Sequence, residues 1–411
     1  MSAIPDDLIG LVCEHVHLRA RLAVCAAISH GFRREVRRLG GQLTLVRRPP
    51  AFDESYPTGW TSDGFCVEVE GSTVRLGNCF APTTLVLVGF DGSDTELSGI
   101  IQDYKQSVTR LELRQCMGEV LAWHTTLVPM MDTVATLHWS NPRIPTHAAV
   151  SVLGAFRSAT YLCLHLCMVP QPTPYSVEQL RGAFLCLGGL AAMPRLHQLR
   201  LLEWPRDGEA DNADFDRPGS WYRKMELDCD EDVISGLMIG LSALSGLRSL
   251  ECDILGDWGL RTANAFALML SRMPALESLD HHFLTRCATW DQLNARLGPA
   301  GHPGLRELRL RYSEAEDEEI DLMTRSVVTS LPRLGHLTLE LLNHGIDSDE
   351  HIAHLARMLG GLRAHSSLRA LMLELDIRSD ISECTMSNFV GLAPTVVVDV
   401  NLRQGHQRFV L

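Results

Sequence analysis

The motif Leu-x-x-Leu-x-apolar recurs in the C-terminal half of the chain, with its second leucine at Leu250, Leu279, Leu308 and Leu337, an interval of 29 residues each time. An interval of this length holds one strand and one helix, and neither can bury its apolar face until a neighbouring copy stacks on it. The spacing therefore predicts a solenoid. Stacked copies grow without one central core, so a chain of 411 residues need not divide into several globular units.

Following the phase gives strands marked by Leu196/Leu199, Leu247/Leu250, Leu276/Leu279, Leu305/Leu308, Leu334/Leu337 and Leu368/Leu371, with Val397/Val400 as a worn final copy. Backwards it runs through Leu162, Leu137, Leu111 and Leu85 at intervals of 25 or 26 residues. Pro194, Pro274, Pro303 and Pro332 each stand two residues before a first strand leucine, where proline stops the incoming helix. The intervening segments carry a helical period, as in Leu180, Ala183, Phe184 and Leu187; Ala263, Phe266, Ala267 and Leu270; and Ile352, Leu355, Ala356 and Leu359. Ser176 with Gln179 and Thr289 with Gln292 have capping-box spacing ahead of two such helices.

This half resembles leucine-rich repeat proteins, whose fuller pattern adds an asparagine or cysteine three residues after the last strand leucine. Cys116 and Cys167 hold that position in early copies, but Leu255, Leu284, Ser313, Leu342 and Asp376 hold it later. The resemblance covers 81–411 and implies an α/β solenoid of about 10 to 11 repeats. It implies a horseshoe with a parallel sheet on the concave face and helices outside. One interval breaks the period: Leu199 to Leu250 is 51 residues, which places an insertion at 205–232. From Asp207 to Asp232 it holds ten acidic residues against three basic ones, and it includes Trp221 and Tyr222, either of which suits a partner anchor. A second acidic run, Glu314 to Asp321, precedes a helix and suits its positive end.

Side chains alternate along a strand, so residues beside the leucines point to the concave face. That rule selects Arg110, Glu112 and Arg114; Gln198 and Arg200; Glu251 and Asp253; Asp280 and His282; Glu307, Arg309 and Arg311; His336 and Glu340; and Glu374 and Arg403. The set is polar and of mixed sign. Such a surface suits a protein partner of complementary charge better than a buried small molecule, although a solvated sheet face is polar in any case.

Residues 4–36 imply two or three short helices with apolar faces at Leu8, Leu11 and Val12, then at Leu22, Cys25 and Ala26. So small a unit buries too little surface to stand alone, which leaves apolar positions needing a partner. The segment resembles the F-box motif: Ile4, Pro5, Asp6, Asp7 and Leu8, then Val12 and Val16, then Leu22, then Ile28, Ser29 and Phe32, where the family commonly has tryptophan. The resemblance implies a small all-α unit over 1–40 in which Ile4, Pro5, Leu8, Ile9, Val12, Val16 and Leu22 face a Skp-type adaptor of a cullin-based ubiquitin ligase or the unit's small core. The repeat array would then bind the protein to be ubiquitinated. The alternative is a leucine-rich repeat scaffold or inhibitor with no ligase role, its N-terminal helices only capping the array. Residues 41–80, with Arg47-Arg48-Pro49-Pro50, read as a linker in which Val67 to Val69 and Val74 to Leu76 can pair as a hairpin.

No catalytic constellation is present. There is no glycine-rich phosphate loop, no His-Glu-x-x-His and no cysteine pair at zinc spacing. His281, His282 and Cys287 do not make a metal site, because alternation sends the two histidines to opposite faces of the strand. A non-enzymatic protein without cofactor or metal is expected. The net charge of −13 argues against sequence-independent nucleic-acid or lipid binding. Twelve scattered cysteines read as reduced. With neither an apolar run long enough for a membrane span nor a basic-then-apolar leader, a cytoplasmic or nuclear location is expected.

Overall fold

The computed structural model describes residues 42–47, 59–61, 64–68, 82–114, 116, 118–140, 146–166, 181–182, 184–203, 231–253, 259–283, 287–312, 317–346, 348–377, 383–402 and 405–411. The chain forms two compact units, one of 1–169 with 192–196 and one of 170–191 with 197–411.

In the first unit the strands are β1 (Gln42–Val46), β2 (Gly59–Thr61), β3 (Gly64–Glu68), β4 (Thr84–Val88), β5 (Arg110–Arg114), β6 (Thr136–Ser140) and β7 (Tyr161–Leu166), in the spatial order β2-β3-β1-β4-β5-β6-β7. All neighbours run parallel except β2 with β3. Helices α1 (Thr95–Tyr104), α2 (Val120–Leu127) and α3 (Thr146–Leu153) connect the later strands. The phase leucines fall in register: Leu85 faces Leu111, Leu111 faces Leu137, and Leu137 faces Leu162. All four are fully buried. Trp139 shares their side of the sheet and meets Trp123 of α2 edge-on, ring centroids 6.4 Å apart, so this side packs on the helices. Each buried aliphatic side chain contributes roughly 1.5 to 3 kcal/mol, which adds to the hydrogen bonds of the parallel ladder.

Cys116 ties the turn after β5 to the preceding copy. Its buried thiol donates to the Leu87 carbonyl of the preceding copy at 3.5 Å and lies 3.4 Å from the Arg114 carbonyl, while burial pushes the thiol pKa up to about 12. It is a satisfied structural thiol rather than a reactive one. Cys167, like Leu255, Leu284, Ser313, Leu342 and Asp376 in the side-chain sense, lies outside the described residues.

The second unit alternates β8 (Gln198–Glu203), α4 (Glu231–Leu241), β9 (Ser249–Asp253), α5 (Leu260–Arg272), β10 (Ser278–Phe283), α6 (Cys287–Leu297), β11 (Glu307–Tyr312), α7 (Asp317–Ser330), β12 (His336–Ile346), α8 (Asp349–Met358), β13 (Ala370–Ile377), α9 (Glu383–Met386) and β14 (Thr395–Leu402). These strands are parallel and in sequence order, and β15 (Gly405–Val410) folds back antiparallel on β14. Leu199, Leu250, Leu279, Leu308, Leu337 and Leu371 form one unbroken row. β8 pairs directly with β9, so the long interval between them hides no extra strand of the ladder.

Three expectations are corrected. The row ends at Val396, the register partner of Leu371, rather than at Val400, which faces Leu375; a run of valines offers the sheet several equivalent frames, and pairing with β13 selects one. Thr289 does not cap a helix, because α6 begins at Cys287 and encloses it, fully buried. Finally, β1, which lies inside the stretch read as a linker, pairs with β4, and β2 pairs with β3 over Gly64, Phe65 and Cys66. β1 escapes the sequence reading because 42 residues separate Leu43 from its partner Leu85. Val74 to Leu76, residues 1–41 and the insertion from 204 to 230 lie outside the described residues.

Candidate protein-binding face

Alternation fixes which residues leave the helix side of the sheet. On β5 that set is Arg110, Glu112 and Arg114. The Glu112 carboxylate lies between the two guanidinium groups: Arg110 donates through Nε at 2.8 Å to Oε1, and Arg114 through Nη2 at 2.7 Å and Nε at 3.2 Å to Oε2. Arg110 Nη2 also lies 2.7 Å from Oε1. Glu112 is 3% exposed, whereas the arginine side chains are 47% and 41% exposed. Burial of the carboxyl works to raise its pKa, but Arg114, His138 and Arg110 outweigh that and hold it below the usual carboxylate value. His138, the register partner of Glu112 on β6, stands beside Tyr161 of β7 with ring centroids 5.4 Å apart.

Towards β1 the same face becomes apolar. Val86 and Val88 face Glu112 and Arg114 across the β4/β5 ladder, and with Val46 they form a buried cluster.

In the second unit Arg200 of β8 pairs with its register partner Glu251 of β9 at 2.8 Å. Beyond them Arg311 pairs with its register partner Glu340, and the other ion pairs of β10 to β13 run diagonally. Arg311 of β11 reaches back to Asp280 of β10 at 3.1 Å and forward to Glu340 of β12 at 3.3 Å. Arg309 reaches over β12 to Glu374 of β13, with Nη2 at 3.0 and 3.1 Å from the two carboxylate oxygens, and stands 3.4 Å from Glu340. Glu340, Glu374 and Asp399 are neighbours on consecutive strands, and Arg408 of β15 stands 3.7 Å from Asp399. Burial raises the Glu374 pKa first; Arg309 and Arg311 oppose the rise, while Glu340 and Asp399 reinforce it, and the net direction is up.

Strand alternation thus brings together Arg110, Glu112 and Arg114 in one cluster, Arg200 and Glu251 in a second, and Asp280, Arg309, Arg311, Glu340 and Glu374 in a third. Glu307, Gln198 and His336 are exposed at strand starts. Asp253 and His282 belong to β9 and β10 by their backbones, but their side chains, with Arg403, Trp221, Tyr222 and the N-terminal residues Ile4, Pro5, Leu8, Ile9, Val12, Val16 and Leu22, lie outside the described residues. His281 points to the helix side, edge-on to Phe266 of α5 with centroids 6.0 Å apart. Sequence reasoning missed His138, Tyr161, Asp399 and Arg408. Alternation counted from Leu137, Leu162 and Val400 would have found the first three; Arg408 needed the antiparallel return of β15, for which the sequence carries no periodic signal.

No family model matches the chain, and no curated protein matches it. Among solved structures it is similar to the leucine-rich repeat-containing protein LegL7 from Legionella pneumophila, with 14% sequence identity and a TM-score of 0.42 over 77% of this chain and 89% of that one.

Among the described residues no group of three or more histidine, cysteine or acidic side chains is placed to hold a metal ion, and no helix is long and apolar enough to cross a membrane. What the described face offers is fixed charge on a rigid parallel ladder.

Proposed function

We propose that this protein is a non-catalytic substrate-recognition subunit of a cullin-based ubiquitin ligase. In this reading the N-terminal segment docks a Skp-type adaptor and the repeat array holds the protein to be modified. The array supports the second half through one observation: its strands carry charged side chains that are already paired and oriented before any partner arrives, so little side-chain entropy is lost on binding. The first half is supported by the F-box pattern from Ile4 to Phe32.

Docking by such a segment rests on a few aliphatic side chains, each worth roughly 1.5 to 3 kcal/mol when fully buried. Co-purification of the full chain with a Skp-type adaptor tests the reading. The expected result is a stable complex that Leu8→Asp with Val12→Asp abolishes while the array's thermal transition is kept. An intact protein that fails to capture the adaptor, or a double variant that captures it as well as the wild type, overturns the ligase reading in favour of a scaffold or inhibitor.

A further inference from the structure

We propose that the edge of the second unit where its helices run into its strands docks an acidic segment of a partner protein, held by Arg248, Arg306 and Arg369. The inference rests on the array being the protein-binding half of the proposed receptor, and it does not depend on adaptor docking.

Because β8 to β14 are parallel and in sequence order, the helix-to-strand connections that lead into β9 to β14 come to one edge of the sheet. The connections 242–248, 272–277, 298–306, 331–335 and 359–369 carry Arg248, Arg272, Arg306, Arg333, Arg363 and Arg369 against a single carboxylate, Glu277, and the last connection, 390–394, is uncharged. All six arginines are exposed. Arg272 donates to Ser242 Oγ at 3.4 Å, whereas the other five guanidinium groups have no hydrogen bond or ion pair among the described residues. Carboxylates gather instead at the other edge, where the first turns of α4, α7 and α8 hold Glu231, Asp232, Asp317, Glu318, Asp349 and Glu350. A chain of net charge −13 thus presents one positive edge, and its pull on an anion acts within a Debye length of about 8 Å at physiological salt.

Helix ends account for part of this row and not for the rest. Arg272 and Arg363 stand in the last turns of helical segments, where a cation answers the dipole. Arg248, Arg306 and Arg369 stand instead two residues before the row leucines Leu250, Leu308 and Leu371, on alternate strands. Their amides donate to the carbonyls of His197, Glu277 and Gly335 at 2.8 Å each, so the backbone beneath the three side chains is fixed by the ladder. Gly335 holds the same phase on β12. A Cβ there would meet the Arg306 carbonyl oxygen at 3.7 Å, an ordinary contact, so packing does not demand a glycine, and its presence leaves Arg306 and Arg369 with no side chain of that phase between them.

The chemistry of the row selects the class of partner. Its cations are all arginine, whose planar fork matches carboxylates with paired hydrogen bonds. These connections hold no tryptophan, tyrosine or phenylalanine on which bases could stack. Glu277 holds the row phase on β10, and Glu307 is exposed at the start of β11. The unbroken charge of a nucleic acid would meet both carboxylates, whereas a polypeptide can set uncharged residues opposite them. Alternate strands stand about 10 Å apart, and a chain in the polyproline II conformation brings every third side chain to one side at about 9.3 Å.

Titration of the full-length protein into a fluorescein-labelled peptide of four Glu-Pro-Pro repeats, read by anisotropy, tests the proposal. The wild type is expected to bind this peptide and to ignore its lysine counterpart, with affinity falling as salt rises. Arg248→Gln, Arg306→Gln and Arg369→Gln are each expected to weaken binding about threefold, in the range of an exposed ion pair, and the triple variant by about the product of the single losses. Gly335→Glu sets a carboxylate between two of the arginines and is expected to abolish binding, while Gly335→Gln, of the same size without the charge, binds as the wild type does. Arg157→Gln, at an exposed site in the first unit, is expected to change nothing. Circular dichroism confirms that each variant is folded.

Unchanged binding in the folded triple variant overturns the docking edge, as does equal loss in Gly335→Gln and Gly335→Glu. A loss on Arg157→Gln equal to that on Arg306→Gln, or equal binding of single-stranded DNA of the same charge, also overturns it, because either result reports bulk charge. Adaptor capture by the same proteins separates the two readings: failed peptide binding with capture intact removes only the docking edge, and failed capture with peptide binding intact removes only the ligase role.

Discussion

His302 stands three residues before a strand leucine, where other copies place Met193, Leu244, Met273 or Leu331. In those copies the leucine amide donates to the carbonyl of that residue, as Leu276 does to Met273 at 3.0 Å. Here the ring takes over: Nδ1 accepts from the Gly304 and Leu305 amides at 3.2 and 3.0 Å, and Nε2 reaches the Met273 carbonyl at 3.1 Å. His365 repeats the device against Leu331. Because Nδ1 accepts twice, the proton belongs on Nε2, and a second proton would meet two N–H groups. Burial lowers the His302 pKa from 6.5, outweighing the opposing hydrogen bonds to the Met273 and Leu270 carbonyls. With the folded pKa below the unfolded one, the unfolded chain binds more protons between the two values. Stability is therefore full above about pH 6.5 and falls as pH drops towards the folded pKa. Thermal melts of wild type and His302→Met across that range check it: the variant is expected to lose about 1 kcal/mol at pH 8, from the two amides left to find other acceptors, and to show a shallower fall in acid.

At the scale of the element, side chains of one helix in the second unit complete hydrogen bonding in the next. The carboxylate of Glu231, in the first turn of α4, accepts from the amides of Arg261 and Thr262 at the start of α5, and Asp232 pairs with Arg261 at 2.8 Å. Asn294 of α6 likewise donates to Ser326 of α7 at 2.8 Å and accepts from Ser330. Replacing Glu231 by alanine is expected to cost about 1 kcal/mol, the worth of an N-cap, and to speed hydrogen exchange at the first amides of α5 while α7 is unaffected. Unchanged exchange there would show that the cap contributes nothing. This link explains what was legible in the sequence. The strand phase, the helix positions and the two sides of each strand follow from local apolar periods, which is why Arg110, Glu112, Arg114, Arg309, Arg311 and Glu340 could be placed on one side. Partners one copy away leave no such trace. Thr289 looked like a cap because its spacing to Gln292 was right, whereas Glu231 caps α5 from about thirty residues away in the preceding copy, and Arg309 finds Glu374 two strands on.

For the molecule as a whole, the row of leucines makes stability a matter of neighbours. Leu308 is 4% exposed between Leu279 and Leu337. Leu308→Ala is expected to cost about 2 to 5 kcal/mol, and in a linear array that loss is felt first by the adjoining copies. Hydrogen exchange should report raised opening in β10, β11 and β12 before β5 or β6 responds. A uniform rise across both units would instead mean that the array unfolds as a single cooperative body.

The direct pairing of β8 with β9 has a different kind of consequence. Residues 204–230 separate two strands whose ladder is complete without them, and lengthening a connection twofold adds only about 0.6 kcal/mol of closure entropy. That interval is therefore where this chain can gain, lose or exchange sequence while keeping its register, so novelty acquired there would be screened by what the segment does and hardly at all by whether the array still folds.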